Sequence, residues 1–320
     1  MHFVSKKSAF LLYKICTKNR NYFGQYVRCI LERAELQCNR SQEWTTKIFL
    51  IIEKIKVKEK FSMFKTPTNK IKMTEMTWME FNSKIANEDI TILPIGACEQ
   101  HGPHLPLSVD TVLANGFAER LAERVNGMVA PAIAYGYRSK PLSGGGPLFP
   151  GTVDLSGETL IHLTYDILEE LIKDGVKNIM VLSCHFENEA FVCEAVDLVT
   201  QKYGDKVKIL IANWWDPMPE DIIDKVFDEV PFPGWAFEHA AVTETSLMMA
   251  FAPELVHEDR MVDTQGATPC PYHIYPVPDG AVPETGVLAP ARSSTAARGQ
   301  LIIDSVLDEL VKICKKEFNK

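Results

Sequence analysis

Six residues at two places in the 320-residue chain have the types and spacing of metal ligands. Glu99-Gln100-His101 forms an E-x-H pair, followed by His104 and Asp110; His185-Phe186-Glu187 forms an H-x-E pair. That supplies three imidazoles and three carboxylates, a mixed set suited to zinc, manganese or a pair of such ions. A pair of ions held this way shares a bridging carboxylate and a bridging water. It lowers the pKa of that water and polarises an attacked carbonyl, which is hydrolytic chemistry at neutral pH. Any one of these side chains alone would pass for an ordinary hydrogen-bonding residue at a strand end. Two pairs, each following a strand-like run, point to a metal site.

Other chemistries fit less well. Zinc deaminases also use H-x-E but need a later P-C-x-x-C, and here Pro269-Cys270 runs into Pro271-Tyr272-His273. The run Ser143-Gly144-Gly145-Gly146-Pro147 is no strand-to-helix phosphate loop; close backbone approach to a ligand and a plain flexible loop both stay open. Neither Ser246 nor Cys184 has the surroundings of an activated nucleophile.

The elements that must position these residues alternate between strand and helix patterns. Strand-like runs cover Asp89–Ala97, Gly127–Ala134, Val176–Ser183 and Val207–Asn213. Helical patterns cover Glu75–Ile85, Thr111–Val125, Glu158–Lys173, Glu189–Lys202, Pro219–Phe227, His239–Ala250 and Ala296–Phe318, with Ser156 as an N-cap and Gly175 as a C-cap. This rhythm predicts a three-layer α/β/α fold on a mostly parallel sheet. Ligands in such sheets bind beyond the carboxyl ends of the strands, where both pairs fall.

Charge divides the chain. Residues 1–74 hold 16 Lys and Arg against 5 Glu, and the remainder holds 18 basic against 37 acidic groups. Residues 1–73 are therefore expected to be a basic extension to a body at 74–320. The extension reads either as a poorly ordered or mis-assigned start or as an arm that touches a partner or a membrane surface; it holds a weakly helical stretch, Ser8–Cys38, and a Lys-rich run, Lys54–Lys60. An acidic body argues against nucleic acid as a partner. Eight scattered cysteines without a C-x-x-C pair argue for a reducing compartment, and no apolar run approaches the length of a membrane span. A cytoplasmic protein is expected.

The segment LPIGACEQHG (Leu93–Gly102) resembles the opening motif of the creatininase (creatinine amidohydrolase) family. Further matches are SGGGPLFPGT (Ser143–Thr152), CHFEN (Cys184–Asn188), the WWD of Trp214–Asp216, GWAFEHAAVTETSLM (Gly234–Met248) and HIYPVP (His273–Pro278), in order across the body. The resemblance implies a creatininase-like fold and two divalent ions, zinc or manganese with magnesium also accommodated. Glu99, Asp110 and His185 would hold one ion and His101, Asp110 and Glu187 the other, with Asp110 as the bridge. His104 would stay outside both sets.

By the same resemblance, His239 would shuttle a proton to the leaving nitrogen or bind substrate, with Glu238 beside it and Glu187 at the metals. Ser143, Phe186, Trp215, Trp235 and Ala236 would line the substrate site, Trp214 would pack in the core, and Glu244 would orient its neighbours. Phe186 stands where the family commonly has Tyr, and Ala236 where it commonly has Asp. The implied reaction is opening of a small cyclic amide, creatinine to creatine, by a metal-bridging hydroxide. Two alternatives remain: another ring or formamide substrate, such as a dehydro-inosose, or a catalytically silent metal-stabilised binding protein. Homo-oligomers, hexamers in well-known members, are implied as well.

Overall fold

The computed structural model describes residues 64–139, 143, 145–264 and 272–319. The stretches Ser8–Cys38 and Lys54–Lys60, and Cys270, lie outside the described residues. Among its described residues the body, Lys65–Lys320, contains four strands: β1 (Thr91–Ile95), β2 (Met128–Val129), β3 (Asn178–Ser183) and β4 (Lys208–Asn213). All pair in parallel, in the order β2-β1-β3-β4. Seven α-helices accompany them among the described residues: α1 (Trp78–Ala86), α2 (Val109–Val125), α3 (Gly157–Asp174), α4 (Glu189–Tyr203), α5 (Glu220–Val226), α6 (Val242–Phe251) and α7 (Ala296–Phe318).

Period-two alternation along the central strands divides the interior into two cores. Ile92 of β1 and Met180 and Leu182 of β3 pack with α2, α5, α6 and α7. Leu93, Ile95, Ile179 and Val181 pack on the opposite face with α3 and α4. Both central strands are buried on both faces, which explains why they read as continuous apolar runs. The result is the three-layer α/β/α fold on a parallel sheet.

Local chemistry sets the element ends. The hydroxyl of Ser156 caps α3 by accepting from the Thr159 N–H, and Gly175 closes the helix at φ 109°. α1 starts at Trp78 rather than Glu75, because Thr77 and Glu80 form a reciprocal capping box. The run Gly127–Ala134 contributes only Met128–Val129, since Pro131 has no N–H for the ladder. Pro94 is tolerated inside β1 for a related reason. The carbonyls of Ile90, Ile92 and Pro94 accept from Met128, Ala130 and Ile133, so the missing donor of Pro94 faces the short β2 side. The body reaches back before residue 74: Val129 donates to the Ile71 carbonyl at 2.7 Å, and Lys72 pairs with Glu119.

The connection from β1 leads to β2 on one side, while β3 lies on the other. A crevice therefore opens between the carboxyl ends of β1 and β3, the usual ligand position in such sheets. Ile95 is in register with Ser183, and Cys184 donates to the Ile95 carbonyl at 2.9 Å. The two ligand-bearing segments leave the sheet side by side.

Candidate active site

Three chain segments bring the carboxylates and imidazoles together. The first two follow β1 and β3. The third is α2, whose first turn presents Asp110. A Cβ on Gly96 would lie 2.6 Å from the Thr111 nitrogen, so only glycine lets the end of β1 approach α2 this closely. The positive end of the α2 dipole favours the Asp110 carboxylate there.

Asp110 gives one oxygen to each histidine: Oδ1 lies 3.2 Å from His101 Nε2, and Oδ2 lies 3.1 Å from His185 Nδ1. His185 Nδ1 is also 3.1 Å from Glu99 Oε2, and His101 Nε2 is 3.5 Å from Glu244 Oε2. Glu187 Oε2 lies 3.4 Å from His185 Nε2, and its other oxygen accepts from Ser143. All these residues are buried. Among the described residues, Glu99–Asp110–His185 and His101–Asp110–Glu244 each place three ligand atoms close enough to share an ion, as does Glu99–His101–His239.

The remote nitrogen of each histidine is tied to a backbone carbonyl. His185 Nε2 donates to Tyr137 at 2.7 Å, and His101 Nδ1 to Glu99 at 3.1 Å. In those tautomers the near nitrogens turn lone pairs toward carboxylates, an arrangement that asks for a cation between them. His101 Nε2 and Asp110 Oδ2 are buried without an aligned hydrogen bond despite their short contacts. The residues present fit divalent ions.

Electrostatics agree. Burial alone would raise the Glu99 carboxyl, but His239, His185 and His101 outweigh it and hold it at about 2. Burial opposes the charged forms of His101 and His185, yet the facing carboxylates lift both well above the ordinary imidazole range. His104 goes the other way: burial and then His101 bring it down to about 4, and its Nε2 meets Thr245 rather than the cluster.

A small pocket opens over these groups and is lined by Ser143, Cys184, Phe186, Trp214, Trp215, Trp235, Ala236, Glu238 and His239. Trp215 and Trp235 lie 6.5 Å apart at 30°, and Phe186 stacks on Trp215 at 5.9 Å. Trp214 packs against Phe117 while still reaching the cavity. His239 lies in a turn before α6, not in the helix expected over His239–Ala250; Ala240 takes φ 55°, so the helix starts only at Val242. His239 Nε2 is 2.9 Å from the Gln100 carbonyl, and burial followed by His101 lowers its pKa. Glu238 commits both oxygens to Thr243, and burial followed by Glu244 pushes its carboxyl up to about 7.

Several contributors were not singled out in the sequence. Ser139 donates to Glu99, and Gln100 spans from the Gly286 carbonyl to His239. Asn188 joins the Gly96 carbonyl to the Tyr137 N–H. Gln100 and Asn188 stand inside the matched motifs, which was the available signal; Ser139 has none.

A family model described as creatininase, creatinine amidohydrolase, matches residues 74–314. The creatinine amidohydrolase of Pseudomonas putida is 37% identical over 250 residues, 76% of this chain and 96% of the relative. A 3-dehydro-scyllo-inosose hydrolase of Thermotoga maritima is 28% identical over 190 residues, 59% of each chain. A mycofactocin precursor peptide peptidase of Mycobacterium tuberculosis is 29% identical over 240 residues, 69% of this chain and 82% of its own. Among solved structures, a manganese creatininase and a mutant creatininase complexed with creatine superpose with TM-scores of 0.76 at 35% identity, covering 79% of this chain and 100% of theirs. A Zn-Zn type mutant creatininase superposes equally well at 34% identity and the same coverage.

Proposed function

The chain belongs to the creatininase family of hydrolases, and from that premise we propose that it opens a small cyclic amide, creatinine to creatine, with two divalent ions. The observation that carries this is the split of Asp110 between His101 and His185. Glu99, Asp110 and His185 would hold one ion and His101 and Asp110 the other; Glu187, expected as the third ligand of that second ion, lies against His185 Nε2 and Ser143, whereas Glu244 Oε2 is 3.5 Å from His101 Nε2. Zinc or manganese suit the donors, and magnesium is accommodated. Bound there, such ions supply an activated water and polarise the attacked carbonyl.

The chain's own groups do the rest. Trp215, Trp235 and Phe186 offer flat faces that cover a ring and exclude water. His239 Nε2 lies between the Gln100 carbonyl at 2.9 Å and the Gln100 side-chain amide at 3.1 Å; in the tautomer with Nε2–H donated to the carbonyl, Nδ1 would take a proton and return it to the leaving nitrogen. Its lowered pKa keeps it neutral and ready to accept at neutral pH. Glu238 braces the turn that carries His239 through its bonds to Thr243, and Ser143 meets Glu187 at the cavity wall.

A second reading keeps this machinery and changes the substrate. Phe186 and Ala236 give the cavity no side-chain polar atom at two positions, and the relatives include hydrolases of other compounds. One screen separates the readings: purified zinc- or manganese-loaded protein with creatinine, hydantoins, formamides and dehydro-inososes. Turnover of creatinine above the others supports the first; turnover of another class alone supports the second. Homo-oligomeric assembly and a cytoplasmic location complete the proposal. No described helix is long and apolar enough to cross a membrane.

A further inference from the structure

Trp214 directly follows the last residue of β4, which is in register with Ser183 at the end of β3. It therefore leaves the sheet at the same edge as the clustered carboxylates and imidazoles. Its ring stacks on Phe117 at 5.9 Å and 7°. It stands edge to face with Trp215 at 5.7 Å and 87°, and with Trp235 at 5.7 Å and 78°. A flat ring stacked on Trp215 would lie across the Trp214 plane, so Trp214 adds no stacking to it.

What Trp214 can add is its polar atom. The residue is only 2% exposed, yet it lines the pocket. Among the described residues, three pocket-lining side chains hold a buried polar atom with no hydrogen-bond partner: His101, Asp110 and Trp214. The first two belong to the candidate ion cluster. The third offers a neutral N–H, which no cation satisfies. An unmet buried donor is destabilising, so it calls for an acceptor. Phe186 and Ala236, which also line the pocket, have no side-chain acceptor to give.

We propose that Trp214 is a specificity-determining residue whose Nε1–H donates to an acceptor on the substrate ring other than the attacked carbonyl. This rests on the cyclic-amide reading above. The favoured class is cyclic amides with a second acceptor, a carbonyl oxygen or an unprotonated nitrogen, over plain lactams whose remaining rim is methylene. A ring that brings the acceptor satisfies the buried donor; a ring that lacks it leaves the donor unpaired and binds less well.

The test uses zinc-loaded full-length protein with creatinine and hydantoin, which carry a second acceptor, and γ-butyrolactam, which does not. The indole ¹H–¹⁵N signal of Trp214 is assigned by its loss in Trp214→Phe or in Trp214→benzothienylalanine. The latter keeps the bicyclic shape and replaces the N–H by sulfur, so it separates the donor from the packing. Saturating creatinine or hydantoin should move the signal downfield, and γ-butyrolactam should leave it in place. The benzothienyl variant should keep its zinc and its Tm, while KM for the ring that wild type turns over rises about tenfold and kcat stays nearly constant. An unchanged KM in that variant would overturn the proposal. So would an indole signal that ignores all three compounds, which would mean that the proton is spent on the face of a neighbouring ring, or one that moves equally with γ-butyrolactam. If wild type turns over neither creatinine nor hydantoin, the cyclic-amide reading falls first, and this assignment with it.

Discussion

Asp110 Oδ2 lies 3.1 Å from His185 Nδ1 yet is not aligned for a hydrogen bond with it. With the His185 proton committed to Tyr137, two acceptors face each other in a buried space. A positive charge between them, either a second proton on His185 or a divalent ion, makes the arrangement favourable.

Asp110→Ala removes the oxygens facing both histidines. Activity should vanish and zinc affinity should fall at both sites, measured by elemental analysis after dialysis. Loss at one site alone would contradict a shared carboxylate.

His239→Ala should leave metal content unchanged and lower kcat about 10²- to 10⁴-fold, the usual contribution of a positioned acid–base group. Because burial and His101 depress the His239 pKa, the acid limb of the wild-type kcat profile should lie below 6.5, the ordinary imidazole value. A limb at or above that value would remove His239 from proton transfer.

Gly286→Ala acts through Gln100. At φ 74° a Cβ would lie 2.0 Å from Gln100 Oε1 and displace the amide that meets His239. Stability should drop by at least about 1 kcal/mol. Turnover should fall roughly 10- to 100-fold, with bound metal retained.

Much of the site was legible because ligand chemistry restricts residue type: E-x-H and H-x-E stand out wherever they occur. The strands were legible because Ile92, Leu93, Ile179 and Val181 face cores on both sides. Backbone partners were not, since the Tyr137 carbonyl that sets the His185 tautomer carries no side-chain signature. The α6 boundary was also hidden. His239–Ala250 has helical composition, but the left-handed Ala240 is stabilised by Glu244 from within the helix, a tertiary feature that local propensity does not encode. The start of α1 could have been read from Thr77-Trp78-Met79-Glu80, which has capping-box spacing.

That capping box has a pH signature. The Thr77 N–H, then Lys70, holds the Glu80 carboxyl down at about 2, against 4.5 for an unperturbed one. A depressed carboxylate stabilises the fold fully above 4.5, and that contribution disappears as pH falls toward 2. The stability gap between wild type and Glu80→Gln in urea should therefore shrink from pH 5 to pH 2. A gap independent of pH would contradict the assignment.

The central claim is the pair of ions about Asp110. Crystals grown with manganese, measured at its absorption edge, give the direct answer in an anomalous difference map. Two peaks about 3.5–4 Å apart are expected, one among Glu99, Asp110 and His185 and the other between Asp110 and His101. A single peak, or two that do not share Asp110, would contradict the account.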